Sequence, residues 1–371
     1  MQTLQEKYFH QISTDYKMTA TQKGFFDAYL SQAFGNYQRP LAEPAVVCFV
    51  NAQSRTFAKE RNNIAGEIQF APIVVRKQKH GNGWRVSEQV PAGFDTVDIT
   101  NSCLFFDSGA FPELRINRRI TPRQSLARQL KQLSKLKKQP AKIWLVSYDR
   151  LIKKKLINSS GCKTNCWNSD YYFNTWDSNM ASLAVDQTVE ATEYLHSQRK
   201  SLQDYTLVQS CQGIDAQQYQ LCVEKVLQFC LPGDVLGLGG WCFLGKQKHW
   251  LPSFWETINR VVPIIANAGI TKIHIFGCTW WKKLQGFSHT PLGSLLWLCD
   301  QHGISLSCDG RSPISNALWK QESGNCTKRA GALHPYWRVN LALVRTMLAT
   351  LRDRPEYQAP PKIRLLGAYR P

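Results

Sequence analysis

Residues 205–240, YTLVQSCQGIDAQQYQLCVEKVLQFCLPGDVLGLGG, read as strand, helix, strand. The runs YTLVQSCQG and DVLGLGG are short, apolar and β-branched, and each ends in glycine or a polar residue. The intervening DAQQYQLCVEKVLQFC repeats its apolar residues at three- and four-residue spacing, the period of a helix with one buried face. A strand, a crossover helix and a second strand form a parallel pair, because two parallel strands cannot be joined by a tight turn.

The same unit recurs in both directions. Strand candidates are AVVCFVN (45–51), CLFFDSG (103–109), KIWLVSYD (142–149), KIHIFGC (272–278) and GISLSCDG (303–310), with an eighth placed in GEIQFAPIVV (66–75). Helical spacing recurs in PRQSLARQLKQLSKL, MASLAVDQTVEATEYLHSQ and GSLLWLCDQHG. Strand alternating with helix leaves two architectures open, a closed (β/α)8 barrel of the TIM type and an open doubly wound sheet. A chain of 371 residues, 43% hydrophobic, suits one large core with insertions. We therefore expect an α/β (β/α)8 barrel over 45–345, a helical N-terminal extension over 1–44 that ends in RPLAEP, and a C-terminal tail over 346–371.

Five strands end in groups that carry chemistry: Asp107-Ser108-Gly109, Asp149, Gln212-Gly213, Gly239-Gly240 and Asp309-Gly310. In a barrel those ends share one rim, where residues from different strands meet one substrate. Asp and Gly also end strands for purely conformational reasons, so it is the recurrence that points to a site.

The formal charge is +19. So large an excess repels itself and suits a polyanionic partner, nucleic acid above all. Arg115, Arg118 and Arg119 follow the first acidic turn, and Arg150, Lys153, Lys154 and Lys155 follow Asp149, so both groups are expected at the rim as phosphate contacts. Arg128, Lys131 and Lys135 recur along a helix and read as its solvated face. No stretch has the roughly 20 apolar residues of a membrane helix, and the first thirty residues lack a signal-peptide core, so a cytoplasmic protein without a membrane partner is expected. The twelve cysteines include Cys48 and Cys103 within apolar strands, which reads as buried free thiols rather than a disulfide framework.

The order of these motifs resembles the tRNA-guanine transglycosylase superfamily over roughly 100–345, and most of all its DNA-modifying members. FFDSGAF (105–111) is similar to the family's Asp-Ser-Gly-Gly-Phe signature, with Ala110 in place of the second glycine. The resemblance makes Asp107 the general acid/base, with Ser108 beside it. WLVSYD puts Asp149 at a base-recognising position, and SCQG (210–213) puts Gln212 at the purine edge. LGLGGW (236–241) resembles a Gly-Gly-Leu turn against the base, with Trp241 in the place of the leucine after Gly239 and Gly240. HIFGC (274–278) matches a Met-Gly pocket floor through Phe276 and Gly277. ISLSCDGRSP (304–313) makes Asp309 the nucleophile and Arg311 a phosphate contact, beyond an insertion around WWKKLQGFSHTP.

The function the resemblance implies is that of a pentosyltransferase replacing guanine in nucleic acid with a 7-deazaguanine such as preQ0. DNA is favoured over tRNA as substrate. A non-catalytic binding barrel and a hydrolytic glycosylase stay open beside it. Phe111, Trp241 and Trp280 are candidate walls for a base turned out of its stack. No cofactor is required. The family's structural zinc cluster has no full counterpart: Cys326 and His334 lie in the right region, Cys162 and Cys166 form a close pair, and Cys299, His302 and Cys308 are scattered, whereas a tetrahedral site needs four ligands.

Overall fold

The computed structural model describes residues 18–34, 44–51, 67–70, 73–77, 84–88, 100, 102–110, 120–152, 178–241, 251–278, 289–310 and 337–361. Its strands are β1 (Val46–Asn51), β2 (Glu67–Phe70), β3 (Ile73–Lys77), β4 (Trp84–Glu88), β5 (Cys103–Phe106), β6 (Lys142–Val146), β7 (Thr206–Cys211), β8 (Val235–Leu238), β9 (Lys272–Ile275) and β10 (Ser305–Gly310). Its helices are α1 (Ala20–Phe34), α2 (Pro122–Leu133), α3 (Ser178–Ser197), α4 (Ala216–Leu227), α5 (Leu251–Asn267), α6 (Pro291–Gln301) and α7 (Trp337–Ala349).

Eight strands close into a barrel in the order β1-β10-β9-β8-β7-β6-β5-β2, and every pairing around it is parallel. The open-sheet alternative is thereby excluded, since β1 pairs with β10 on one side and with β2 on the other. The eighth strand is the first half of 66–75. The second half belongs to β3, which pairs antiparallel with β4 as a separate two-stranded sheet.

Local chemistry sets the ends of the helices. Thr121 and Gln124 form a reciprocal capping box at the start of α2, with Pro122 in the first turn. Asp215 caps α4 and Thr290 caps α6, in each case by accepting an amide hydrogen bond. The apolar faces of the helices then cover the barrel. Val223, Ile258, Leu295 and Val344 join Leu236, Ile273 and Leu306 of the strands in one buried cluster.

Inside the barrel the alternate residues form a second core, of Phe49, Phe105, Val146, Val208 and Val235, with Trp144 and Phe276 partly buried against it. Gly237 of β8 makes room for it, because a Cβ there would lie 2.4 Å from the Phe276 ring. All the described cysteines are free thiols. Among the described residues, no helix is long and apolar enough to cross a membrane.

The boundary expected at 345 falls inside α7, and the chain after it returns to the barrel. Arg352 makes two hydrogen bonds of 2.8 Å to the Asp300 carboxylate, and the Tyr357 hydroxyl donates to the same group at 2.9 Å. Gly293 of α6 admits this segment, since a Cβ there would meet the Glu356 carbonyl oxygen at 2.0 Å. Gly293→Ala is accordingly expected to destabilise the fold by about 1–3 kcal/mol through overpacking against backbone. A urea midpoint equal to that of the wild type would show that the 351–361 segment is not held there.

Candidate active site

Strand parity delivers two of the acids. On β5, residues 103 and 105 point inward, so Asp107 follows them over the mouth of the barrel. On β10, Ser307 and Asp309 share the inner face. Asp107 is half-buried and receives the backbone amides of Ser108 and Gly109, the latter at φ 81°, where glycine avoids strain. Burial first, and then the like charges of Asp149 and Asp309, push its carboxyl up to about 7. These three carboxyls therefore share one electrostatic environment.

Asp309 is buried and held through one oxygen. Its Oδ1 accepts the Gly277 amide at 2.7 Å and the His274 Nε2–H at 3.1 Å. Gly277 sits at φ 65°, which turns its N–H toward the acid. Among the described residues, nothing hydrogen-bonds to Oδ2.

His274 is fully buried on the inner face of β9. Its Nδ1 lies 2.9 Å from the Ser307 hydroxyl, and its ring stacks on Phe105 at 4.6 Å and meets Phe276 edge-on at 4.9 Å. No role was expected for it from the sequence. The available signal was a polar residue at the inward position of KIHIFGC, two before Phe276.

Asp149 lies just beyond β6 and is buried. Its Oδ1 accepts the Ser108 hydroxyl at 3.0 Å, and burial raises its carboxyl to about 6 against that hydrogen bond. Ser108 thus links the two acidic strand ends, and its carbonyl takes the Ser125 hydroxyl of α2 at 2.8 Å. Gly239 lies against the same acid: a Cβ there would be 3.5 Å from Asp149 Oδ2 and 3.1 Å from the Cys211 carbonyl oxygen. Gly240 follows at φ 83°, and Phe276 lies half-buried beside them, so this part of the mouth is walled by backbone and one aromatic ring.

Two expectations are corrected. Gln212 does not present its amide to the mouth. Its Nε2 donates to Thr188 Oγ1 at 2.8 Å and to the Arg150 carbonyl, and its Oε1 accepts the Ile152 amide at 2.9 Å. One amide hydrogen goes to the turn that carries Asp149 and the other to the Thr188 hydroxyl of α3, because backbone groups left unpaired beyond a strand end take whatever buried partner is near. Trp241 is no wall of the mouth either. It is buried in the helical layer, stacked on Tyr219 at 5.7 Å and edge-on to Phe254 at 5.1 Å.

Arg150 is half-buried at the rim, its amide on Thr188 Oγ1. The other expected phosphate contacts, Arg115, Arg118, Arg119, Lys153, Lys154, Lys155 and Arg311, lie outside the described residues. So do Phe111 and Trp280, and the zinc candidates Cys162, Cys166, Cys326 and His334. Among the described residues, no three His, Cys, Asp or Glu side chains are grouped as metal ligands. Comparison of the sequence with models of protein families and with curated proteins finds no match.

The raised carboxyls fix a pH dependence. Unfolded aspartates lose their protons near pH 3.9, whereas the folded chain holds those of Asp107 and Asp149 up to about 7 and 6. The folded state binds more protons between these values, so stability is full below the unfolded value and falls as pH rises through 6 and 7. Asp107→Asn is expected to match the wild-type pH trend below pH ~4 and to gain on it by on the order of 2–4 kcal/mol toward pH ~8. Urea unfolding across that range measures the gap. A gap that does not change with pH would mean that Asp107 ionises as an ordinary surface acid.

Proposed function

We propose that the chain exchanges a base in nucleic acid, as a guanine transglycosylase that replaces guanine in DNA with a 7-deazaguanine such as preQ0. The observation that carries this reading is the unequal state of two aspartates at one mouth. Asp309 has one oxygen pinned by two N–H donors and the other without a hydrogen bond among the described residues, while Asp107 holds its proton up to about 7.

The pair suits a two-step displacement. Asp309 Oδ2 attacks C1′ as the bond from C1′ to the guanine nitrogen breaks, and Asp107 supplies the proton that lets the base leave neutral. Asp107, now ionised, takes a proton from the incoming base, whose nitrogen displaces Asp309 from C1′. The sugar keeps its configuration by double inversion, as in retaining glycoside hydrolysis. Asp149, with its Oδ2 beside Gly239, is placed to accept from the N1–H and amine of a guanine-like base, and the glycines let that base lie close to the backbone. Gln212 acts in this reading by bracing the 150–152 turn.

Asp309→Ala is expected to abolish a covalent protein–DNA adduct that survives denaturation and to stop exchange of labelled guanine. Normal exchange by this variant would falsify the assignment. Mass spectrometry of digested DNA and tRNA after reaction separates a deazaguanine nucleoside from an abasic site, and one substrate from the other. His274→Phe keeps an aromatic ring in the interior and removes a donor from Asp309. It is expected to lower kcat about 10²-fold, with KM little changed and partial recovery in His274→Gln. Equal losses in both variants would assign His274 to packing alone.

A further inference from the structure

The positive charge is concentrated. Across 114–148 the sequence has ten Lys or Arg and no Asp or Glu. Seven of these cations are described, and they lie on α2 and the turn that leads into β6. The helix buries Ser125, Leu126, Gln129, Gln132 and Leu133 against the sheet. Its period therefore sets Arg123, Ala127 and Lys131, four residues apart, on the opposite side, Lys135 follows in the turn just past the helix, and all are exposed. The twelve residues of the helix rise about 18 Å. Lys137, Lys138 and Lys142 continue the stripe, exposed, to the base of β6.

The stripe begins at the candidate site, because the first turn of α2 is tied by Ser125 to the Ser108 carbonyl beside Asp107. Arg128 lies on its flank with Nη1 buried and without a hydrogen-bond partner among the described residues. A buried donor without an acceptor is costly, and an arriving anion would satisfy it. The other outer helices differ: α3 exposes Asp186, Glu190 and Glu193, α4 exposes Glu224, and Arg260 of α5 is paired with Glu256.

We infer that α2 and the turn into β6 form a track for the phosphate backbone of nucleic acid, running from the mouth of the barrel down its side. The inference rests on the proposed nucleic-acid substrate, though not on base exchange. A lipid surface is the weaker match, because a helix that lies in a membrane interface presents an apolar face to it, and the apolar face of α2 is spent on the sheet.

The test compares the full chain with Lys135→Gln/Lys138→Gln/Lys142→Gln. The side chains of these lysines are exposed and have no ion-pair or hydrogen-bond partner among the described residues. Binding of a labelled DNA duplex is followed by anisotropy between about 50 and 200 mM salt. The triple variant is expected to show a slope of log K against log salt shallower by about 2–3, and binding about 100-fold weaker near 0.15 M, from the loss of three phosphate contacts. Its thermal midpoint should equal that of the wild type.

Wild-type affinity and slope in the triple variant would overturn the track and leave the exchange reading intact. Lysine-dependent duplex binding without any exchange would remove the transglycosylase reading and keep the track. Lysine-dependent binding to phosphatidylserine vesicles with none to DNA would replace the partner and overturn the proposal.

Discussion

Closure of the parallel sheet is the constraint on which the rest depends. Once β1 pairs with both β10 and β2, no strand edge is left, and each residue of a strand points either to the helical layer or to the interior. That alternation explains the interior aromatics, the position of His274 and the acids at the mouth together. A slip of one residue in β10 would bring Cys308 inward in place of Asp309 and send the acid into an apolar helical layer. The apolar outer positions Leu306 and Cys308, both buried, are therefore what hold the carboxylate in register.

The acids are then held in unequal ways. Asp309 tolerates burial because two N–H donors converge on one oxygen, and those donors are themselves fixed. His274 is stacked on Phe105 and in contact with Ser307, and Gly277 takes a backbone conformation that turns its amide inward. Asp107 has backbone donors but loses solvent through burial and lies near two other carboxyls, so its proton is retained. Below them the aromatic interior excludes water and stiffens the support, and the missing side chain of Gly237 seats the Phe276 ring. Around them amide side chains finish what the strands leave open. Gln129 bonds both the amide and the carbonyl of Val146, and Gln212 does the equivalent for the turn after Asp149.

Much of this was legible in the sequence, and the limits have physical causes. Short apolar runs separated by helical spacing located seven barrel strands and set the eighth within 66–75, and polar strand ends located Asp107, Asp149 and Asp309. Residue type and parity say where a side chain starts, but not which partner it meets. Gln212 has the inward parity of Val208 and Ser210, yet its amide turns to unpaired backbone. Trp241 lies beyond the end of β8, where strand parity no longer applies, and falls into the helical layer. The α5 helix was not set out, and it carries Pro263 within it. His274 went unnoticed because a lone histidine in an apolar strand gains its meaning from Asp309, 35 residues later in sequence.

The placement of charge joins the fold to the proposed chemistry. A chain of formal charge +19 creates a positive potential that favours ionised carboxylates, while the mouth counters it locally through burial and three neighbouring acids. On the proposed reading, the arriving phosphates would neutralise the cations of the rim and of α2 and add negative charge near Asp107. Both effects raise the proton affinity of a carboxyl. Asp107 would then be held most firmly in its acid form when a base is in place to receive the proton, and the free enzyme, with its cations unmasked, would release it more easily. The same cations that gather the polyanion would thereby link substrate binding to the protonation state that departure of the base requires, and the link would weaken as salt screens the charges that lie outside the barrel.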